Sequence, residues 1–503
     1  MTSLQRTSLF IAVCLGTFLA SLDISIVNVA LPDIQHHLQG ELSQLQWIVN
    51  AYAICLSAFM LSAGVLSDRF GHKRIWLIGA FLFTLGSLLC ATAQTMTLLL
   101  IGRIVQGVAG AILVPGAMAM ISFAYTDPKA RNHAIGIWSA ISALALILGP
   151  LLGGILIEHL GWHRIFTINI PVGIIAMLLG YYGMQEHSYP EHAALDPLGQ
   201  LLSVTTLALL SYSLILAGEI GFLDSTTLSL LLLSGVCLLL FFLVEFRSQR
   251  PIIELRLFKN RAYASINYAS FMLGFAAYSS LFFFSFYLQQ IQGYSPQMTG
   301  LRMVPQFLLT GIVSLYFGHL NRYFTLRHLI CAGYLIIGLS MAAMASFTPE
   351  SHYVMVGGLF ALLGVGMGIA VPATGLMIMN SVKEHQFAMA SATMNALRQM
   401  GMAIGIALLG SLMSQQATER LLAHLQEARV TDALEQAEQA VYLHQFTDHL
   451  ARAFYVTAMN SGFALVMIVA GIASLSAVGI LFIALPHQTR QSSPSPLTTR
   501  KRG

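Results

Sequence analysis

Apolar runs of about twenty residues recur from one end of the chain to the other, each closed by a short polar break. That length suits a helix crossing a hydrocarbon core of about 30 Å. The pattern predicts spans at 9–31, 44–66, 74–93, 97–121, 133–157, 164–183, 198–218 and 226–246. After a basic stretch it predicts six more, at 263–290, 298–318, 327–347, 353–379, 390–413 and 461–484. Fourteen spans put both termini on one side. The first run is too long for a signal-peptide core and has no A-x-A cleavage site, so it is expected to stay as the first helix.

Composition agrees. Of 503 residues, 56% are hydrophobic and 9% charged, against about 25% charged in a soluble domain. A net charge of +4 gives no footing for nucleic-acid binding. The five cysteines fall inside apolar runs without the paired spacing of a metal site or disulfide framework, and read as small core residues. With the N-terminus in the cytoplasm, eighteen of the 25 Lys and Arg lie in cytoplasmic segments and five outside, the bias expected of a correctly oriented chain. The two left over, Arg103 and Arg398, lie within spans.

An internal echo points to duplication. Gly107-Val-Ala-Gly-Ala-Ile-Leu-Val-Pro115 in the fourth span resembles Gly364-Val-Gly-Met-Gly-Ile-Ala-Val-Pro372 in the twelfth, and Gly64 to Arg74 has a degraded counterpart from Gly318 to Arg322. Two parallel bundles are expected at 1–184 and 263–484, with two additional spans at 185–262. The second bundle includes a polar, helical external loop at 414–460. The Ser/Pro-rich basic tail at 485–503 is expected to be disordered.

Asp23 is the acid clearly placed within a span. An intramembrane carboxylate costs about 2.5–3.5 kcal/mol on insertion scales, so it is expected to face a cavity or a partner. Counting helical rise, Asp23 and Arg103 both lie about 21 Å above the cytoplasmic side, which makes a charge pair feasible. The pair reads either as a proton switch or as a fixed lock between the first and fourth helices.

Four segments carry a family resemblance. Leu22-Asp-Ile-Ser-Ile-Val-Asn-Val-Ala-Leu-Pro32, Gly64-Val-Leu-Ser-Asp-Arg-Phe-Gly-His-Lys-Arg74, Arg103-Ile-Val-Gln-Gly107 and Gly149-Pro-Leu-Leu-Gly-Gly154 stand in order at the right helices. Together they resemble the 14-spanning drug:proton antiporters of the major facilitator superfamily, over essentially the whole chain. The resemblance implies an all-α integral membrane fold of two six-helix bundles plus two additional helices.

It also implies proton coupling at Asp23 and Arg103. A cytoplasmic gate latch is implied at Gly64, Asp68, Arg69, Gly71, Lys73 and Arg74, with the glycines permitting close approach and Asp68 paired to a neighbouring positive group; the bland alternative is a topology anchor. Gly149, Pro150, Gly153 and Gly154 form a packing and bending device that the family associates with export, although Ala145 replaces a glycine often found there. Candidate substrate contacts are Asn28, Gln106, Asn395 and Arg398; Arg398 either meets an anionic group or snorkels to the interface.

Phe282, Phe283, Phe284, Phe286 and Tyr287, with Met367, Met377, Met389 and Met394, either line an adaptable pocket or pack the core. The histidine pairs, such as His36 and His37 or His444 and His449, carry no metal-ligand pattern. Catalytic residues, metals and cofactors are not expected: the sequence has neither a phosphate-binding loop nor a soluble domain of catalytic size. The reading is a proton-coupled exporter of small amphipathic compounds in the bacterial inner membrane, with a periplasmic adaptor and outer-membrane channel as potential partners. The alternative is a dedicated exporter of one metabolite such as a siderophore or antibiotic, and more remotely a membrane enzyme or sensor.

Overall fold

In the computed structural model, residues 2–188, 196–248, 253–383, 386–446 and 449–485 are described, and they contain helices and no strand. The basic tail and Arg250 fall outside them. The elements are α1 (Ser3–Leu38), α2 (Leu42–Phe70), α3 (His72–Ala91), α4 (Met96–Ala124), α5 (Pro128–Leu160), α6 (Arg164–Gly183), α7 (Pro197–Ile220), α8 (Ser225–Arg247), α9 (Arg261–Ile291), α10 (Pro296–Tyr323), α11 (Leu326–Met344), α12 (Tyr353–Asn380), α13 (Phe387–Glu427), α14 (Ala433–Leu443) and α15 (His449–Ala484). All but α14 coincide with an expected span. Many overrun the hydrophobic runs because polar caps, such as Thr95 on α4, Asp127 on α5 and Ser295 on α10, close each helix beyond its apolar part. The polar stretch 414–460 is helical as expected: α13 continues to Glu427 and α14 follows.

Each half uses its glycines in the same way. A Cβ at Gly107 would collide with the Tyr52 carbonyl of α2, and one at Gly110 would touch the Tyr52 ring. In the second half, Gly364 sits against the Gln306 backbone of α10 and Gly368 against Val313. The sequence echo is thus a packing echo: α4 lies on α2 as α12 lies on α10, at backbone distances that small residues alone permit in a membrane.

The halves meet along two seams, α5 with α10 and α2 with α13. Of the additional helices, α7 lies against the second seam, where Gln415 donates to the Ala217 carbonyl at 2.7 Å and the Tyr442 hydroxyl of α14 bonds the Gly218 carbonyl. Near the face on which α1 begins, α2 bends by 55° between Leu42–Met60 and Ser62–Phe70. At this bend Gln200 of α7 donates its amide N–H to the Ala58 carbonyl at 3.0 Å and accepts the Ser62 hydroxyl, the kind of side-chain insertion that accompanies helix kinks.

Candidate transport site and its gates

The carboxylate of Asp23 is fully buried and meets Arg103 Nη1 at 2.5 Å. The expected pair is the middle of a larger network. Arg103 Nε donates to the Ile48 carbonyl at 3.0 Å, Nη1 to Gln106 Oε1 at 2.8 Å, and the guanidinium lies 4.5 Å from the centre of the Tyr52 ring. Gln106 Nε2 donates to Asp23 Oδ1 at 3.2 Å and to the Ser87 hydroxyl at 2.9 Å, which also accepts Asn169 Nδ2 at 3.3 Å. Five helices of the first half, α1 to α4 and α6, therefore converge on one charge pair. Close helix contact makes this feasible: a Cβ at Gly102 would strike Cys90 and one at Gly86 would strike Gln106.

Gln106, a candidate substrate contact, has no exposed surface and bonds Asp23 and Ser87 through its amide, inside the network of the charge pair. Asn28 is also buried, at 4% exposure, and turns its amide to the Ile24 carbonyl of its own helix at 2.8 Å, leaving its oxygen without a partner. Asn395 and Arg398 are half-buried on one face of α13, bonded to each other at 2.6 Å. Ser87, Asn169 and Tyr52 escaped sequence reading; the available signal was a polar side chain inside an apolar run.

The loop after α2 is fastened, but by different partners than expected. Asp68 bonds His72 at 2.9 Å, one turn on, and pairs with none of the three basic residues beside it. The clasp comes from Glu186, just past the end of α6. Its carboxylate accepts the backbone N–H of Lys73 at 3.0 Å and of Arg74 at 3.3 Å, and lies 3.6 Å from the Arg74 guanidinium. A negative charge on the first N–H groups of α3 is the favoured polarity for a helix N-terminus. Gly71, at φ +102°, a conformation that L side chains rarely adopt, lies directly under the Glu186 carboxylate. Lys73 Nζ donates to the Tyr181 carbonyl at 2.7 Å, and Arg69 is exposed over the Phe70 ring. Among the described residues, nothing lies within 4 Å of a Cβ placed at Gly64 or at its echo Gly318.

The motif of α5 holds helices together on both sides. Gly149 and Gly153 receive Ser25 and Ile26 of α1, two and three residues beyond Asp23. Gly154 abuts Pro296 of α10, and the Pro150 carbonyl abuts Gly300. Ala145 is fully buried, so a methyl group is accommodated at the departure from the family pattern. At the end of the seam away from the termini, Glu158 accepts the Ser295 hydroxyl at 2.7 Å and the Gln297 N–H at 3.2 Å. Gln289 of α9 adds a bond to the Val29 carbonyl at 2.9 Å. The halves are therefore joined at the face opposite the termini, and near the terminal face a Cβ at Gly64, Gly136, Gly318 or Gly375 would meet none of the described residues within 4 Å.

The aromatic residues of α9 pack the core: Phe282, Phe283, Phe284 and Tyr287 are buried, and Tyr287 stacks on Phe463 at 4.7 Å. Met367, Met377 and Met394 are buried with them, and Met389 is half-buried. No group of three potential metal-ligating side chains occurs among the described residues.

Long apolar helices, paired halves and a buried charge pair between the first and fourth helices define a membrane transport protein. The model of the Major Facilitator Superfamily matches residues 13–410, and the chain belongs to that family. It is 32% identical over 420 residues to the Methylenomycin A resistance protein of Bacillus subtilis (strain 168), covering 83% of this chain and 90% of that one. It is 35% identical over 429 residues to the Multidrug resistance protein Stp of Mycobacterium tuberculosis (strain CDC 1551 / Oshkosh), covering 84% and 79%. The Riboflavin transporter RibZ of Clostridioides difficile (strain 630) is 31% identical over 417 residues, 82% of this chain and 90% of that one. Among solved structures, a bacterial homologue of the human lysosomal transporter Spinster, described as inward-facing and unoccupied, has the same fold, with a TM-score of 0.68 at 16% identity over 96% of this chain and 98% of that one.

Proposed function

We propose that the protein is a proton-coupled exporter of small amphipathic compounds in a bacterial inner membrane, with both termini in the cytoplasm. The orientation rests on the Lys and Arg bias of its loops. The observation that carries the mechanism is the fully buried Asp23–Arg103 pair. While Asp23 is ionised, the two charges compensate each other, with Gln106 and the Ile48 carbonyl bonded to the same groups. Protonation removes half of that arrangement and leaves Arg103 uncompensated in a medium where an unpaired charge is costly. The conformation that better solvates Arg103 is then favoured, so proton binding biases the equilibrium between two helix arrangements.

The seam supports such an exchange. The closed outer ends of α5 and α10, with space beside Gly64 and Gly318 at the other face, correspond to a state open to the cytoplasm, ready to load. Closure of that side would bring Gly64 of α2 towards α13 and Gly318 of α10 towards α5, the inverse of the Gly154 and Gly300 contacts at the other face.

The test is dye accumulation in efflux-deficient cells. Wild type is expected to lower accumulation only while the proton gradient stands, and Asp23→Asn to abolish the effect with the protein still in the membrane. Full activity of that variant, or activity indifferent to a protonophore, would overturn the reading. A second reading, a dedicated exporter of one metabolite, draws on relatives named for single compounds, methylenomycin A and riboflavin. No dye response from a protein present in the membrane would favour it.

A further inference from the structure

The two arginines within the spans are treated in opposite ways. Arg103 is fully buried and bonded to a carboxylate, a carbonyl and an amide. Arg398 is half-buried, and among the described residues it has no carboxylate within 4.0 Å. Its one side-chain hydrogen bond runs from Nη2 to the neutral Asn395 at 2.6 Å, and its buried Nε has no acceptor. A guanidinium at membrane depth with its charge uncompensated is a costly arrangement, and such residues mark binding sites.

The surroundings are built to present it. α9 makes a π-helical turn at Gly274–Tyr278, a feature that recurs at functional sites. Gly274 rests on the Arg398 backbone carbonyl, while Gly401 and Gly405 of α13 rest on Phe271 and Phe275 of α9. These backbone contacts fix Tyr278 against Arg398, with the guanidinium 5.2 Å from the ring centre. Ser391, Asn395 and Arg398 form a half-buried polar stripe along α13. The contact with Tyr278 turns Arg398 to the face of α13 that packs on α9. α9 to α15 present no buried carboxylate among the described residues to attract a cation.

We propose that Arg398, with Asn395 and Tyr278, is an anion receptor for the substrate, and that the exported compounds are monoanions with a single carboxylate on an apolar, aromatic-sized body. The planar guanidinium matches a carboxylate bidentately, and Tyr278 offers a surface for the adjoining apolar part. This assignment rests on the exporter reading for its transport consequence, but the site is testable by binding alone.

The experiment titrates purified full-length protein with anthracene-9-carboxylate, its methyl ester and 9-(aminomethyl)anthracene, following probe fluorescence. Wild type is expected to bind the carboxylate at least tenfold tighter than the ester. Arg398→Gln should erase that preference with ester affinity unchanged, and Arg398→Lys should keep part of it. Equal wild-type affinity for acid and ester overturns the receptor whether or not Arg398→Gln folds, as does a preference that survives in Arg398→Gln. In proteoliposomes, anion binding without proton-driven movement would overturn the exporter reading and leave the receptor standing. Proton-driven movement of the ester or amine with no anion preference would do the reverse.

Discussion

The carboxylate of Glu158, near the end of α5, accepts the hydroxyl of Ser295 at 2.7 Å, where Ser295 caps the start of α10. This bond crosses from one half of the protein to the other. It also puts a negative charge on the favourable end of a helix dipole, since the Gln297 N–H donates to the same oxygen at 3.2 Å. Glu158→Ala is expected to weaken the outer closure and raise the outward-open population about tenfold, in line with about 1.5 kcal/mol for a hydrogen bond to a charged group. Distances between spin labels on the outer ends of α5 and α10 would report it; an unchanged distribution would remove Glu158 from the latch.

Glu186 performs a similar task at the other face, holding the first N–H groups of α3. Glu186→Ala should cost about 1 kcal/mol, the usual value of a helix cap, and speed amide exchange at residues 73–75. Transport should slow because the loop between α2 and α3 is no longer tied to α6. Exchange rates equal to wild type would show that the clasp is dispensable.

A Cβ at Gly64 or Gly318 would meet none of the described residues within 4 Å in this conformation. Substitution of either by Val should leave thermal stability nearly unchanged yet cut transport at least tenfold, because the side chain would obstruct closure of the terminal face. Such a split between stability and turnover is what a glycine reserved for the other state predicts. Wild-type transport by Gly64→Val would refute it.

Gly300 gives the opposite expectation. Its α-carbon is pressed against the Pro150 carbonyl, so Gly300→Val overpacks the closed seam at a cost of about 1–3 kcal/mol. The variant should populate the outward-open state or lose thermal stability; one that does neither would mean that the seam is softer than its geometry implies.

Much of the fold was legible in the sequence because a bilayer imposes a length on every span. The apolar runs located the fourteen helices, the intramembrane charges singled out Asp23 and Arg103, and equal helical depth made their pairing feasible. The glycine-to-proline echo between residues 107–115 and 364–372 revealed the duplication. The partners that complete each site were not legible. Ser87, Asn169 and Glu186 are unremarkable as sequence, and a run of basic residues beside Asp68 suggested pairings that the structure replaces with His72 and Glu186.

By itself the sequence determined how many times the chain crosses the membrane, the duplication of its helices and which side chains carry charge at depth, since length and polarity are local properties. Only the tertiary structure decided which charge is spent and which is available. Arg103 and Arg398 are both arginines inside apolar helices, but Asp23 reaches one of them from a helix eighty residues earlier, while the described residues around the other supply no carboxylate. That difference arises from which helices the glycines allow to touch, and it exists only once the bundle is assembled.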